Sequence, residues 1–288
     1  MTLAVMIPAM LLQQLLGALT FPIAKFGLEE IQPFVFAFFR FTVASTILLT
    51  IVWSRKRQPK IERRHMWHIF GLGLIIIPFN QVAYLVGQSL TGAGHGSLLF
   101  AITPIFVFIL AVVHLKERLR PRRAIGIVIA VTGVIIIMTA GAVRISTEYL
   151  WGDLIILLAV VAWAYYTVLG RPLAQKYGAL RVTAYALSFG SLIYFPFGLW
   201  QAASFDYAAV PLSAWGSVLY VAIGTSIIAY VIYYWILKQW EASRLAVWHN
   251  VQPVIASLVA YFWLGEPLGL SFVIGGAIAI CGLLLAEL

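Results

Sequence analysis

Residues Pro104 to Glu117 read PIFVFILAVVHLKE, and 149 positions further on Pro253 to Glu266 read PVIASLVAYFWLGE. Each opens on a proline, continues as an unbroken apolar run and closes on Leu-x-Glu. With the apolar residues upstream, each run approaches the roughly 20 residues that a helix needs to cross a bilayer. The same shift of 149 superimposes Ala93 on Ala242, Ala111 on Ala260, Leu119 on Leu268, Gly126 on Gly275, Gly133 on Gly282 and Tyr84 on Tyr233. A shift of 146 puts Ala18 on Ala164 and Lys25 on Arg171. Internal repetition of this kind is common in transporters. The two halves fall at 1–145 and 146–288, with five predicted helices in each. Five is odd, so the second half enters the membrane upside down relative to the first.

Composition agrees with a membrane as solvent. Of 288 residues 62% are hydrophobic and 10% charged, against roughly a quarter charged in a soluble domain. The expected class is an all-α integral membrane protein: ten transmembrane helices as two inverted five-helix repeats around a central cavity. The helices are predicted at about 3–24, 33–53, 66–88, 91–114, 123–141, 151–170, 181–202, 212–237, 244–264 and 268–286. The start of the chain carries no basic leader or cleavage site, so the first helix is expected to be retained.

The net charge of +9 does not point to nucleic acid, because the basic residues cluster in short loops rather than along one polar face. Sixteen of the 19 Lys and Arg fall in alternate loops: at Arg55 to Arg64, Lys116 to Arg123, Arg171 to Arg181, and at Lys238 and Arg244. Positively charged short loops stay in the cytoplasm, so both termini are expected there, in a bacterial inner membrane. Cys281, the single cysteine, lies in an apolar run and has no disulfide partner.

Besides the Pro…Leu-x-Glu pair, the first helix carries GALTFPIAKFG (Gly17 to Gly27) and the second FAFFRF (Phe36 to Phe41). Together these resemble the drug/metabolite transporter superfamily, and within it the EamA-type ten-helix exporters, over nearly the whole chain. The resemblance implies a basket of helices, alternating access and export of amino acids or similar metabolites, with the aromatic and neutral amino-acid exporters most similar. Where the second copy has Leu264-Gly265-Glu266, the first has Leu115-Lys116-Glu117, a departure at the turn.

Polar side chains at membrane depth point to a cavity or a helix interface. The candidates for substrate binding are Gln14, Asn80, Tyr84, Trp163, Tyr166, Trp248, His249 and Asn250. Asn80 and Tyr84, four apart, share a helix face; with Trp163 and Trp248 they make an aromatic-walled cavity suited to an amphipathic solute. Hydrogen bonds to a neighbouring helix are the alternative for Gln14, Asn80 and Asn250. His249 is either a proton-sensitive gate or a structural histidine. Trp53, Trp67, Trp151, Trp215, Trp240 and Trp263 read as interfacial anchors. Arg40 is the one formal charge well inside a span; Glu29 or Glu30 is placed to pair with it, a substrate carboxylate being the alternative. Lys25 reads as structural, and Glu117 and Glu266 as ties for the hairpins that follow them. Pro104 and Pro253, equivalent in the two halves, are expected to kink helix interiors and to serve as hinges.

None of the ten acidic residues lies at the centre of a predicted span, so no buried carboxylate relay is available, and no phosphate loop appears. Cofactors and metals are expected to be none. The partners are a small-molecule substrate and the bilayer, with a monomer expected and a dimer open. The rival readings are an uptake permease or facilitator and, more remotely, a lipid-modifying membrane enzyme.

Overall fold

A computed structural model of the protein describes residues 3–55, 60–91, 93–118, 120–139, 149–264 and 270–287. Among them every regular element is helical, as a lipid environment demands of a chain that must satisfy its backbone groups within each segment. In chain order the helices are α1 (Leu3–Glu30), α2 (Pro33–Ser54), α3 (Arg63–Ser89), α4 (Ala93–Ala101), α5 (Thr103–Leu115), α6 (Pro121–Thr139), α7 (Leu150–Tyr177), α8 (Ala179–Ala203), α9 (Leu212–Leu237), α10 (Ala242–Val247), α11 (Val251–Leu264) and α12 (Leu270–Glu287). Eight stretches among the described residues are long and apolar enough to cross a membrane, the end of α4 and α5 counting together as Leu98–Leu115; α6 and the interrupted α10–α11 pair fall outside that set. Their outward faces are apolar: Leu192, Leu212, Val113 and Leu270 are all largely exposed, as side chains against lipid would be.

Two helices overrun their predicted ends. α1 continues past 24 to Glu30, because nothing after Pro22 breaks it until Gln32, which precedes Pro33 and is held out of the helical region by it. α7 continues past 170 to Tyr177, taking Arg171 and Lys176 into its last turns. It stops where Gly178 takes φ 87°, a backbone conformation open to glycine, and α8 begins one residue later.

Two helices predicted as continuous are interrupted. The fourth breaks at Ile102 between α4 and α5, and the ninth passes through a single 3₁₀ turn, Trp248–Asn250, between α10 and α11. Pro104 and Pro253 therefore lie in the first turns of α5 and α11 rather than inside helices. The reason is the missing N–H: Pro104 has none to offer the Phe100 carbonyl, nor Pro253 that of His249, so neither helix runs straight through.

α3 and α9 each contain a π-helical stretch, Ile75–Val82 and Val221–Ala229. In α3 Pro78 removes one i→i−4 bond; in α9 the Ser226 hydroxyl donates to the Val221 carbonyl at 3.1 Å, five residues back. Such local unwinding re-aims the side chains around it.

α6 and α12 meet backbone to backbone through a seam of small residues. A Cβ added at Gly126 would lie 2.6 Å from the amide nitrogen of Ala286 and 2.7 Å from the Gly282 carbonyl, and one at Gly275 would lie 2.6 Å from the Gly133 carbonyl. Gly126 thus faces Gly282 and Gly133 faces Gly275, an antiparallel and reciprocal pairing. In lipid, where apolar burial gives no driving force between helices, such close approach is what holds them together.

The loop after α5 reaches a distant part of the chain. Glu117, expected to tie its own hairpin, is buried and accepts hydrogen bonds from the backbone amides of Ala242 (2.7 Å) and Ser243 (3.3 Å), from the Ser243 hydroxyl and from Arg171 (3.2 Å). It is in effect the N-cap of α10. The residue before it, Lys116, adopts φ 54°, the left-handed conformation at the end of α5. Nearby, Glu241 pairs with Arg123 at 2.5 Å and with Arg120 at 4.0 Å. Burial by itself would raise the Glu241 carboxyl, but the hydrogen bond and charge of Arg123 outweigh it and hold the group below the ordinary glutamate range. Glu266 lies outside the described residues.

Candidate substrate cavity

A cavity lies where α1, α2, α3, α4, α7, α9 and the turn before α11 converge. About 70 Å³ of it is open to the centre of a water-sized sphere. Its wall has three chemistries. Gln13, Gln81, Gln252, Thr20 and Thr225 supply amides and hydroxyls; Phe21, Tyr84, Phe100, Trp163 and Tyr230 supply rings; Arg40 and His249 are the ionisable groups. Among the described residues, no lining residue is a carboxylate.

Packing of rings sets the aromatic side. Phe21, Tyr84 and Phe100 meet edge to face with centroids 5.6–6.0 Å apart. Trp163 packs on Tyr230 (5.1 Å), Tyr233 (5.3 Å) and Tyr166 (5.7 Å), and meets His249 edge-on at 6.0 Å. Edge and offset contacts of this kind add to simple burial. Hydrogen bonds fix the helices behind the rings. Thr20 and Thr225 join α1 to α9 at 2.6 Å, Thr167 and Tyr233 join α7 to α9 at 3.1 Å, and the Tyr234 hydroxyl donates to the Tyr166 carbonyl at 2.7 Å.

Of the residues that the sequence singles out, the structure brings Tyr84, Trp163 and His249 to the cavity wall. Tyr166 lies directly behind them, fully buried against Trp163 and Tyr234. The other four are elsewhere. The Asn80 side-chain amide donates to the Ala159 carbonyl at 2.6 Å and its oxygen accepts from Gln81, tying α3 to α7. Gln14 is buried and donates to Gln13 at 2.7 Å. Trp248 donates to Glu287 at 2.9 Å, at the end of α12. Asn250 is buried with neither side-chain atom hydrogen-bonded among the described residues. Among the expected interfacial anchors, Trp53, Trp67 and Trp151 are strongly exposed, whereas Trp240 is buried, with the Arg244 guanidinium 4.1 Å above its ring.

Arg40 is the cavity residue that sequence placed at depth without fixing its partner. It is fully buried. Glu29 and Glu30 are exposed, and no ion pair joins either to it among the described residues. Instead its Nε donates to the Ser226 hydroxyl at 2.9 Å, and its guanidinium carbon lies 4.7 Å over the Phe41 ring. His249 Nδ1 accepts one hydrogen bond from the Gln252 side-chain amide nitrogen at 3.2 Å; its Nε2 is buried with no partner among the described residues. Gln13 and Gln81 reach the wall in place of their neighbours Gln14 and Asn80, since a one-residue difference on a helix turns a side chain by about 100°, and Gln252 does so in place of Asn250 two residues earlier.

Lys25 and Arg171 hold comparable places. Lys25 donates to the carbonyls of Gln88 (3.2 Å) and Thr91 (3.1 Å) at the end of α3, and Arg171 donates to the Leu237 carbonyl (3.2 Å) at the end of α9. Each puts a cation at a helix C-terminus, where the dipole favours it.

The comparisons with known proteins agree with this picture. The EamA-like transporter family model matches twice, over residues 5–139 and 150–288. An uncharacterized transporter of Archaeoglobus fulgidus is 29% identical over 95% of this chain and 94% of its own length. A probable terminal-alkyne amino-acid exporter of Streptantibioticus cattleyicolor is 32% identical over 96% of this chain and 91% of its own. A crystal structure superposes with a TM-score of 0.79 at 20% identity, covering 99% of this chain and 97% of that one, which establishes the fold alone. With eight long apolar helices and a family model matched along nearly its whole length, the chain is a multi-pass membrane protein that belongs to the EamA-like transporter family, within the drug/metabolite transporter superfamily.

Proposed function

We propose that the protein exports small amphipathic metabolites, aromatic and neutral amino acids first among them, by alternating access across a bacterial cytoplasmic membrane. Ten spans in two inverted repeats, 1–145 and 146–288, carry the cavity at their meeting surface, with both termini in the cytoplasm. It performs no catalysis. The observation that carries this reading is the cavity itself: ring-walled, furnished with amides and one cation, and built from both halves of the chain.

The repeat is supported by what shares that wall. Gln81 and Tyr230, and Phe100 and His249, are related by the shift of 149; Gly17 and Trp163 are related by the shift of 146. A pseudo-two-fold axis through the cavity would bring such pairs together. The reciprocal α6–α12 seam and the matched roles of Lys25 and Arg171 are consistent with the same axis. Helices broken at equivalent places beside the cavity are a recurring device of carriers. The amino-acid assignment draws on the relative named as an exporter of such compounds.

The test is counterflow. Purified protein in liposomes preloaded with unlabelled phenylalanine, threonine or methionine is expected to accumulate the labelled compound saturably, and Trp163→Ala to lower that accumulation. Absence of saturable counterflow with every amino acid, in protein whose helical circular dichroism is intact, would overturn the substrate assignment.

A further inference from the structure

A guanidinium with no acid beside it is expensive inside a membrane protein. Insertion scales rank arginine at the centre of a span among the most costly residues. Arg40 meets part of that cost through Ser226 and the Phe41 ring, but only its Nε is thereby engaged. Nη1 and Nη2 are buried and find no acceptor among the described residues. The Tyr230 hydroxyl makes a looser polar contact with the guanidinium, outside good hydrogen-bond geometry, and Tyr84 interacts with it at longer range; both tyrosines line the same cavity.

Ser226 also sets the direction of the fork. Its proton goes to the Val221 carbonyl within the π-helical stretch of α9, so its oxygen is left to accept from Arg40 Nε. One edge of the guanidinium is fixed to protein, and the two terminal nitrogens remain for a ligand. A planar pair of N–H donors matches the two oxygens of a carboxylate. Resting on the reading of this cavity as the transport site, we propose that Arg40 binds the carboxylate of the transported solute, and that a carboxylate is what the site requires.

The wall says what else the ligand carries. Phe21, Phe100 and Trp163 offer apolar and aromatic surface for a side chain. Among the described residues no acid faces an ammonium group there, which is left with amide oxygens and ring faces. A monocarboxylate with an apolar body therefore fits with or without an amine, whereas an amine without a carboxylate leaves Arg40 unpaired.

Three ligands separate these groups on wild-type protein in nanodiscs, with affinity read by thermal shift and by direct binding: phenylalanine, 3-phenylpropionate and phenethylamine. Both acids are expected to bind and phenethylamine to bind at least about tenfold more weakly, since a charge-assisted hydrogen bond of about 1.5–3 kcal/mol is lost with the carboxylate. Arg40→Gln should weaken both acids by about tenfold to a hundredfold, and Arg40→Lys, which keeps the charge but not the fork, by less. Phenethylamine binding as tightly as the acids would overturn the assignment. So would unchanged acid affinity in a folded Arg40→Gln protein, or binding of none of the three by folded wild type. The wild-type comparison decides the matter even if Arg40→Gln does not fold. If 3-phenylpropionate binds and phenylalanine does not, the amino-acid assignment falls and Arg40 keeps its role; if the amine alone binds and is transported, Arg40 loses it and the carrier reading stands.

Discussion

Removing the Glu117 carboxylate should cost more than removing any other single side chain at that end of the molecule. It is buried and takes four hydrogen bonds, two of them from the first amides of α10 and one from Arg171, which is itself only 17% exposed. Glu117→Ala leaves Arg171 without its acid and the start of α10 without a cap. Breaking a buried charge pair from one side costs about 3–5 kcal/mol, and this includes most of the cap, because the terms share the same oxygens and do not add. Glu117→Gln keeps the shape and one accepting oxygen, and should lose about 1.5–3 kcal/mol, the usual worth of a hydrogen bond to a charged group. At about 2–4 °C per kcal/mol for a chain somewhat shorter than this one, the alanine variant should melt about 10 °C lower and the glutamine variant about half as far.

The assay is thermal unfolding of detergent-solubilised protein, followed by intrinsic tryptophan fluorescence at constant detergent and ionic strength. The ordering Ala below Gln below wild type is the essential result. An alanine variant within a degree of wild type would refute the reasoning, because it would mean that Arg171 and the α10 amides find water as good a partner as Glu117. The bond set joins the loop after α5 to α7 and α10, so the same loss should ease any motion that parts them.

Lys116→Gly should raise the melting temperature by about 1–4 °C: the left-handed conformation costs a side-chain-bearing residue about 1–2 kcal/mol, and glycine returns about 0.5–1 kcal/mol of that as backbone entropy. Lys116→Ala should show no such gain, and equal melting of the two variants would remove the explanation. Gly133→Ala should destabilise by about 1–3 kcal/mol, since its Cβ would meet the Gly275 carbonyl and the Ala279 backbone, which have no room to yield. Gly276→Ala, with open space on the partner helix α12, is the control and should be neutral or slightly stabilising, alanine being the better helix former; equal losses in both would remove the contact explanation. For Glu241 the folded-state carboxyl titrates below its ordinary value of 4.5, so its pairing with Arg123 stabilises above that pH and the contribution disappears as pH falls through the lowered value. Melting curves of wild type and Glu241→Gln should therefore lie apart at pH 7 and converge on acidification below about 4.5, and curves that stay parallel would show that the pair contributes nothing.

Much of this was legible in the sequence because lipid leaves few choices. Apolar runs fix where helices lie, and the shift that aligned Gly126 with Gly275 and Gly133 with Gly282 anticipated residues that meet across one seam. The Lys116 departure from the second copy's glycine fell at the one non-glycine residue with positive φ among those described. What sequence could not settle were rotations and partners. Asn80 and Gln81 are neighbours, and which of them faces the cavity depends on where the π-helical stretch of α3 ends. Glu117 looked local because its partners, Ala242 and Ser243, are over a hundred residues away. Arg40 was visible as a buried charge, but Ser226 as its anchor follows from the unwinding of α9, for which no proline gives warning.

Asymmetry within the proposed repeat gives the cavity its direction. An inverted repeat brings like residues to opposite walls, and a wall made only of such pairs would read a solute equally in two orientations. The shifts of 146 and 149 carry Arg40 onto Ala186 and Phe189, neither of which bears a charge. The cavity therefore holds one unduplicated cation, while Trp163, with His249 edge-on to its ring, lines the same cavity. A carboxylate at Arg40 would orient the rest of the solute toward the rings, so the polarity of binding would come from a single residue that the repeat does not duplicate.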